Sequence, residues 1–224
     1  MVNKAVTLFL GLTALLAGCA AGTETTSAPV PVAAYSPSDI CKGGEFTVHA
    51  ARDVMDVVGT QLVNVTLAWN RQMSGKVGFH LVVDDATRPV WNQCEVQVVW
   101  ATESLPGDAW GQTRWAGSAT GEKGGAVVYL NPRIIKAESL TPPDERDEVA
   151  DVSWATLLHE FGHVLGLAHD DVVADNTAMR TFITVPAGIG CVDVRLACSV
   201  WGCTPGCTGN DWTTAMTLGQ PLTF

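Results

Sequence analysis

Three of the chain's five histidines lie within eleven residues, in the run His159-Glu160-Phe161-Gly162-His163-Val164-Leu165-Gly166-Leu167-Ala168-His169. Residues four apart on an α-helix share a face, so His159 and His163 present two imidazoles side by side. Glu160, one position along, stands beside that pair rather than under it. Gly166 lets the chain leave the helix in a conformation that other residues resist, which swings His169 back toward the first two rings. Burying three polar rings together with nothing between them costs free energy, so a satisfied core cluster is the poorer explanation. Three neutral nitrogen donors suit zinc and leave its fourth position open, within reach of the Glu160 carboxylate. A shuffled chain of this composition would contain the full spaced set on the order of once in a hundred thousand.

The amino-terminal part has a different character. Lys4 followed by the apolar run Ala5 to Ala17 has the make-up of an export signal and is too short to span a bilayer comfortably. It closes in Leu16-Ala17-Gly18-Cys19, which resembles the lipobox of bacterial lipoproteins. That resemblance implies a signal peptide over residues 1–18, cleavage before Cys19, and acylation of its sulfur and new amino terminus. Buried acyl chains, at ~0.8 kcal/mol per methylene, would then anchor the protein to a membrane of the cell envelope. An ordinary secretory signal with an incidental cysteine is the alternative. Residues 19–40, with Pro29, Pro31 and Pro37, read as a flexible tether, and residues 41–224 as one domain without repeats.

Cysteine arithmetic agrees with export. Of seven cysteines, setting Cys19 aside leaves Cys41, Cys94, Cys191, Cys198, Cys203 and Cys207, an even set that suggests disulfides. The expected grouping is Cys41 with Cys94 and the last four among themselves. Two other uses compete: Cys203 and Cys207 have the spacing of a second metal site, and Cys41 could be a thiol that blocks the metal. The formal charge of −10 leaves no basic patch to offset phosphate repulsion, which argues against nucleic acid as a partner.

Periodicity supplies the remaining elements. Glu45 to His49 reads as a short strand, and Gly59 to Met73 as an amphipathic helix with Val58, Leu62, Val65 and Trp69 along one stripe. Val77 to Val83 and Glu95 to Trp100 read as strands, as do Gln112 to Ala119 and Ala126 to Leu130, with a loop over Thr120 to Gly125. The histidine helix is expected from about Val152 to Leu165, capped by Asp151 or Ser153. Beyond Met179 no long periodic segment stands out, so the cysteines are expected to hold the tail together.

The spacing HExxHxxGxxH resembles the zinc signature of the metzincin metalloproteases, and the order of elements from about residue 45 to residue 180 is similar to a matrixin catalytic domain. The resemblance implies an α+β zincin: a twisted, mostly parallel sheet with an antiparallel edge strand, an active-site helix, and here a cysteine-rich carboxy-terminal part. It implies zinc on His159, His163 and His169, with Glu160 as general base for water attacking a peptide bond. It also implies a methionine in a tight turn below the metal. Met179 is the best candidate, and Met216 the substitute if the cysteine-rich segment precedes that turn. No tyrosine follows either methionine, so the extra tyrosine ligand of astacins and serralysins is not expected. Asp170, after the third histidine, resembles the adamalysin pattern without fixing a subfamily. The family's substrate lies antiparallel to the edge strand, here Arg114, Trp115, Ala116 and Gly117, with Trp110 and Trp115 as subsite candidates.

Weaker signals carry blander readings. His49 and His80 read as strand or surface histidines. Asp84-Asp85 could bind calcium as matrixin loops do, although an acidic turn is the plainer reading. The expected partners are a protein or peptide substrate and the membrane, with the chain a monomer. Two other classes compete with a protease: a zinc-bearing binding lipoprotein without turnover, against which the intact Glu160 counts, and a hydrolase of non-peptide amides.

Overall fold

The computed structural model describes residues 41–73, 75–84, 94–106, 109–117, 123–139, 152–169, 177–180 and 188–207. The expectations for residues 1–40, Cys19 among them, and for Asp85, Asp151, Asp170 and Met216 lie outside these residues.

Five strands form one sheet: β1 (Glu45–Ala51), β2 (Gly78–Asp84), β3 (Glu95–Trp100), β4 (Gly111–Gly117) and β5 (Lys123–Leu130), in the order β2-β1-β3-β5-β4. Three of the four pairings are parallel; β4 runs antiparallel to β5 at the edge. Four helices accompany it among the described residues: α1 (Arg52–Gln72), α2 (Pro132–Ser139), α3 (Val152–Val164) and α4 (Cys191–Trp201). The fold is α+β with a mixed sheet, as expected.

One face of the sheet is built from alternate residues that share register. Phe46 pairs with Phe79, Val48 with Val96, Val96 with Ala126, and Val98 with Val128, all buried. Period-two alternation sends these side chains to one side, where helices cover them. Phe79 meets Phe161 of α3 edge-on at 5.1 Å, and Phe46 meets Trp201 of α4 at 5.8 Å. The α1 stripe Val58, Leu62, Val65 and Trp69 is fully buried. Trp69 Nε1 donates to Leu158 O at 3.2 Å, tying α1 to the histidine helix.

Several boundaries differ from those expected. α1 begins at Arg52, directly after β1, because Val54 joins the buried stripe; its N-cap Ala51 makes no side-chain hydrogen bond, so no capping signal marks the start. Lys123 to Gly125 belong to β5 rather than to a loop, with a β-bulge between Trp115 and Gly117 absorbing the register shift. α2 was not expected, although Asn131 caps it by accepting the Arg133 N–H at 3.1 Å, with Pro132 at the first helical position. Ser153 lies inside α3, buried in its first turn, and is not its cap. The largest correction is α4. Its buried residues Cys191, Val194, Cys198 and Trp201 recur at helical spacing, because half-cystines pack as apolar groups.

Three disulfides join Cys41 to Cys94, Cys191 to Cys207 and Cys198 to Cys203. The first fastens the turn leading into β1 to the residue before β3, and the other two pin both ends of α4. These pairings leave no thiol at Cys41 to block a metal and no thiolates at Cys203 and Cys207 to bind one. No helix among the described residues is long and apolar enough to cross a membrane.

Candidate metal centre

Helix α3 is buried along almost its whole length, His159 and Glu160 included. It ends in a Schellman turn: the Gly166 N–H bonds His163 O at 2.9 Å and the Leu167 N–H bonds Gly162 O at 3.0 Å. Gly166 sits at φ +85°, the left-handed conformation that such a turn requires. This reversal delivers His169, as the sequence implied.

The three imidazoles converge. His159 Nε2 and His163 Nε2 are 3.0 Å apart, and each lies 3.2 Å from His169 Nε2. The other nitrogen of two rings has a fixed role. His159 Nδ1–H donates to Ala178 O at 2.6 Å, and His163 Nδ1–H donates to Leu167 O at 2.8 Å. A carbonyl can only accept, so in the neutral rings both protons sit on Nδ1 and both Nε2 atoms carry bare lone pairs. Burial holds the His159 pKa down at about 3, helped by His163 and His169, and holds that of His163 at about 4, so both rings are neutral near pH 7.

Two lone pairs facing each other at 3.0 Å have no proton to share, and only a cation makes that contact favourable. A tetrahedral ion with bonds of about 2.0–2.1 Å holds its nitrogens about 3.3–3.4 Å apart, close to the spacing here. The donors present fit zinc. Among the described residues this is the one group of three or more potential ligand residues that could hold a metal ion.

Around the donors lie groups that set their positions. Glu160 is buried, and that burial raises its pKa to about 7 against the pull of Thr113. The Thr113 hydroxyl lies 2.7 Å from Glu160 Oε2 and 3.1 Å from the Glu160 backbone oxygen. Gly111 leaves room for this carboxylate, since a Cβ there would stand 2.7 Å from Thr156 Cγ2 and 3.0 Å from Glu160 Oε1. Met179 is fully buried, and a Cβ on Gly162 would collide with its Sδ, so the thioether lies against α3 between the turns that carry His159 and His163. The peptide groups around it are fastened to Asp193 of α4, whose carboxylate accepts the N–H groups of Ala178, Met179 and Gly190.

The edge strand borders the site. Thr113 pairs with Val128, and Trp115 with Ala126, which puts both on the helix-covered face with Glu160. Arg114 alternates to the opposite face, where its Nε donates to Gln112 Oε1 at 2.7 Å and its guanidinium lies over Tyr129. Ala116 stands at the bulge, and Gly117 pairs with Lys123 beyond it. His49 lies 3.2 Å from Asp84, and His80 pairs with Glu45 at 2.6 Å, both away from the cluster. Asp84 is thus engaged with a histidine, and no group among the described residues supports calcium.

Thr113, Gly111 and Asp193 escaped the sequence reading. Thr113 lies in the expected strand and Gly111 one residue before it, but only the register reveals which alternate residues face α3. Asp193 follows Gly190 by three residues, the position where a carboxylate folds back onto the N-cap N–H of a helix. That signal is legible only once α4 is known to be a helix.

No family model matches this chain, and no curated protein matches it. A three-histidine cluster that could hold a metal ion, running from buried His159 to exposed His169 and adjoining the buried Glu160 carboxyl group, is consistent with a metalloenzyme.

Proposed function

We propose that this chain is a zinc-dependent endopeptidase of the metzincin type, exported and anchored to a membrane through a lipid on Cys19. The observation that carries the reading is the convergence of three Nε2 atoms within 3.2 Å of one another at the helix that also carries Glu160, whose carboxyl group bonds Thr113 of the antiparallel edge strand. The expected Met-turn role falls to Met179, which lies against the histidine helix.

His159, His163 and His169 would hold the ion. Bound there, zinc would supply Lewis acidity, polarising a substrate carbonyl and easing the loss of a proton from water. Thr113 occupies Glu160 Oε2, which leaves Oε1 to take that proton as water attacks the carbonyl carbon and then to pass it to the leaving amine. In the metal-free chain burial raises the Glu160 pKa to about 7, which keeps the group protonatable near neutrality. An extended peptide would add to the edge of β4 as a further antiparallel strand, with Trp115 on the side of the catalytic carboxylate and Arg114 on the other.

Digestion of a diverse peptide library, with and without a chelator, tests the reading. Internal peptide bonds should be cleaved, and cleavage should stop on chelation and return with zinc. A zinc-loaded, folded chain that cleaves no peptide would favour a binding protein or a hydrolase of other amides instead.

A further inference from the structure

The peptide group joining Ala178 to Met179 is held at both ends. Its oxygen accepts the Nδ1–H of His159 at 2.6 Å, and its N–H, that of Met179, donates to Asp193 Oδ1 at 3.3 Å. Asp193 Oδ2 accepts the Ala178 N–H at 3.0 Å and the Gly190 N–H at 2.8 Å. The carboxylate is fully buried, and burial of a charge is tolerable only with such a set of donors. Its negative charge therefore stands one amide plane away from a ring that faces the metal position. An amide whose N–H bonds a carboxylate is polarised, and its oxygen becomes a stronger acceptor. A stronger acceptor on Nδ1–H raises the donor strength of Nε2, as a carboxylate does when it bonds a metal-ligating histidine directly.

We infer that Asp193 is a positioning residue that acts on His159 through the 178–179 peptide group, setting the orientation of the ring and its strength as a metal donor. The inference rests on the reading of the three histidines as metal ligands. His163 supplies the contrast within the same site. Its Nδ1–H donates at 2.8 Å to Leu167 O in the Schellman turn, and among the described residues no carboxylate bonds that peptide group. Among the described residues, the two histidines on α3 are thus backed by carbonyls of different polarity.

A cap for α4 would need only the Gly190 bond, and a structural tie would need no charge. Asparagine at this position keeps the size, but its NH2 group would face an N–H that now finds an acceptor. Asp193→Asn should therefore weaken the polarisation of the 178–179 peptide while leaving Leu167 untouched.

The test uses the full chain loaded with zinc, with the imidazole Nδ1–H protons followed by NMR. In the unmodified chain the His159 proton should resonate downfield of the His163 proton. In Asp193→Asn it should move upfield while that of His163 stays, and zinc affinity, read by competition with a chromophoric chelator, should fall about tenfold. Trp201→Phe serves as the comparator. It removes a different α4 bond, Nε1 to Leu165 O at 3.0 Å, and should lower stability without moving the His159 proton. Should Asp193→Asn fail to fold, the unmodified chain decides alone: a His159 proton level with or upfield of that of His163 overturns the inference. Asp193→Asn that folds with unchanged affinity and an unmoved His159 proton overturns it too, with the metal reading intact. An unmodified chain that binds no zinc overturns both.

Discussion

His159, Glu160 and His163 are placed by one helix, and His169 by the turn that ends it, whereas the turn packed beneath them is held by a helix far along the chain. The first side is local: hydrogen bonds of α3 and its Schellman turn set it within the eleven residues of the motif. The second is assembled across the fold, with Ala178 and Met179 bonded to Asp193 of a helix that two disulfides pin. The difference teaches that the identity of the donors is a local property here, while their support is not. Substitutions on the two sides should therefore fail in different ways.

The largest effect belongs to the local side. Glu160→Gln should lower peptide turnover by about 10²–10⁴-fold while zinc content stays unchanged, because in the proposed mechanism Glu160 would move a proton and hold no metal. Robust cleavage by that variant would remove the general base from the account.

Next come the disulfides, which separate the two kinds of support. Replacing both Cys41 and Cys94 by serine opens a separation of 53 residues and should cost about 4 kcal/mol of stability, with zinc affinity in the folded chain preserved. Replacing Cys191 and Cys207 opens a separation of 16 residues and should cost less, about 3 kcal/mol, yet it should weaken zinc binding, since α4 carries Asp193. Denaturant midpoints and chelator competition read the two quantities separately. Equal zinc affinity in both variants would erase the distinction between the two sides.

Gly162→Ala probes the contact where the sides meet. Its new Cβ would overlap Met179 Sδ, and overpacking of this kind costs about 1–3 kcal/mol, visible as a lower melting temperature. A neutral or stabilising effect would place Met179 elsewhere.

The smallest effect is the pH dependence of the metal-free chain. The depressed pKa values of His159 and His163 mean that stability is full above 6.5 and is lost as pH falls toward about 4 and about 3. Glu160 works the other way, its raised value giving stability below 4.5 that is lost as pH rises through about 7. Two histidines outweigh one glutamate, so chelator-treated chain should be less stable at about pH 5 than at about pH 7. Greater stability at the lower pH would mean that the rings are not buried neutral.

The same local and non-local division decides what the sequence could disclose. The ligand cluster and Glu160 were legible because helix geometry converts spacing directly into a shared face. The strands were legible from alternation, since Phe46, Val48 and Ala50 must all face the core. The start of α1 was hidden because Ala51 offers no capping side chain, and α2 was missed although Asn131-Pro132 announces it. α4 is hidden by its own cysteines, which read as crosslinks rather than as the apolar stripe that they complete with Val194 and Trp201. Thr113 and Asp193 could not be paired with Glu160 and the Met179 turn from sequence, because strand register and helix docking bring them together.

Metal content is the most direct measurement of the central claim. Elemental analysis of the full chain, folded under oxidising conditions and supplied with zinc, should find one zinc per chain that a chelator removes. His163→Ala, which deletes one of the three donors, should bind far less. A folded, disulfide-intact chain with no stoichiometric metal, or His163→Ala with undiminished zinc, would contradict the account.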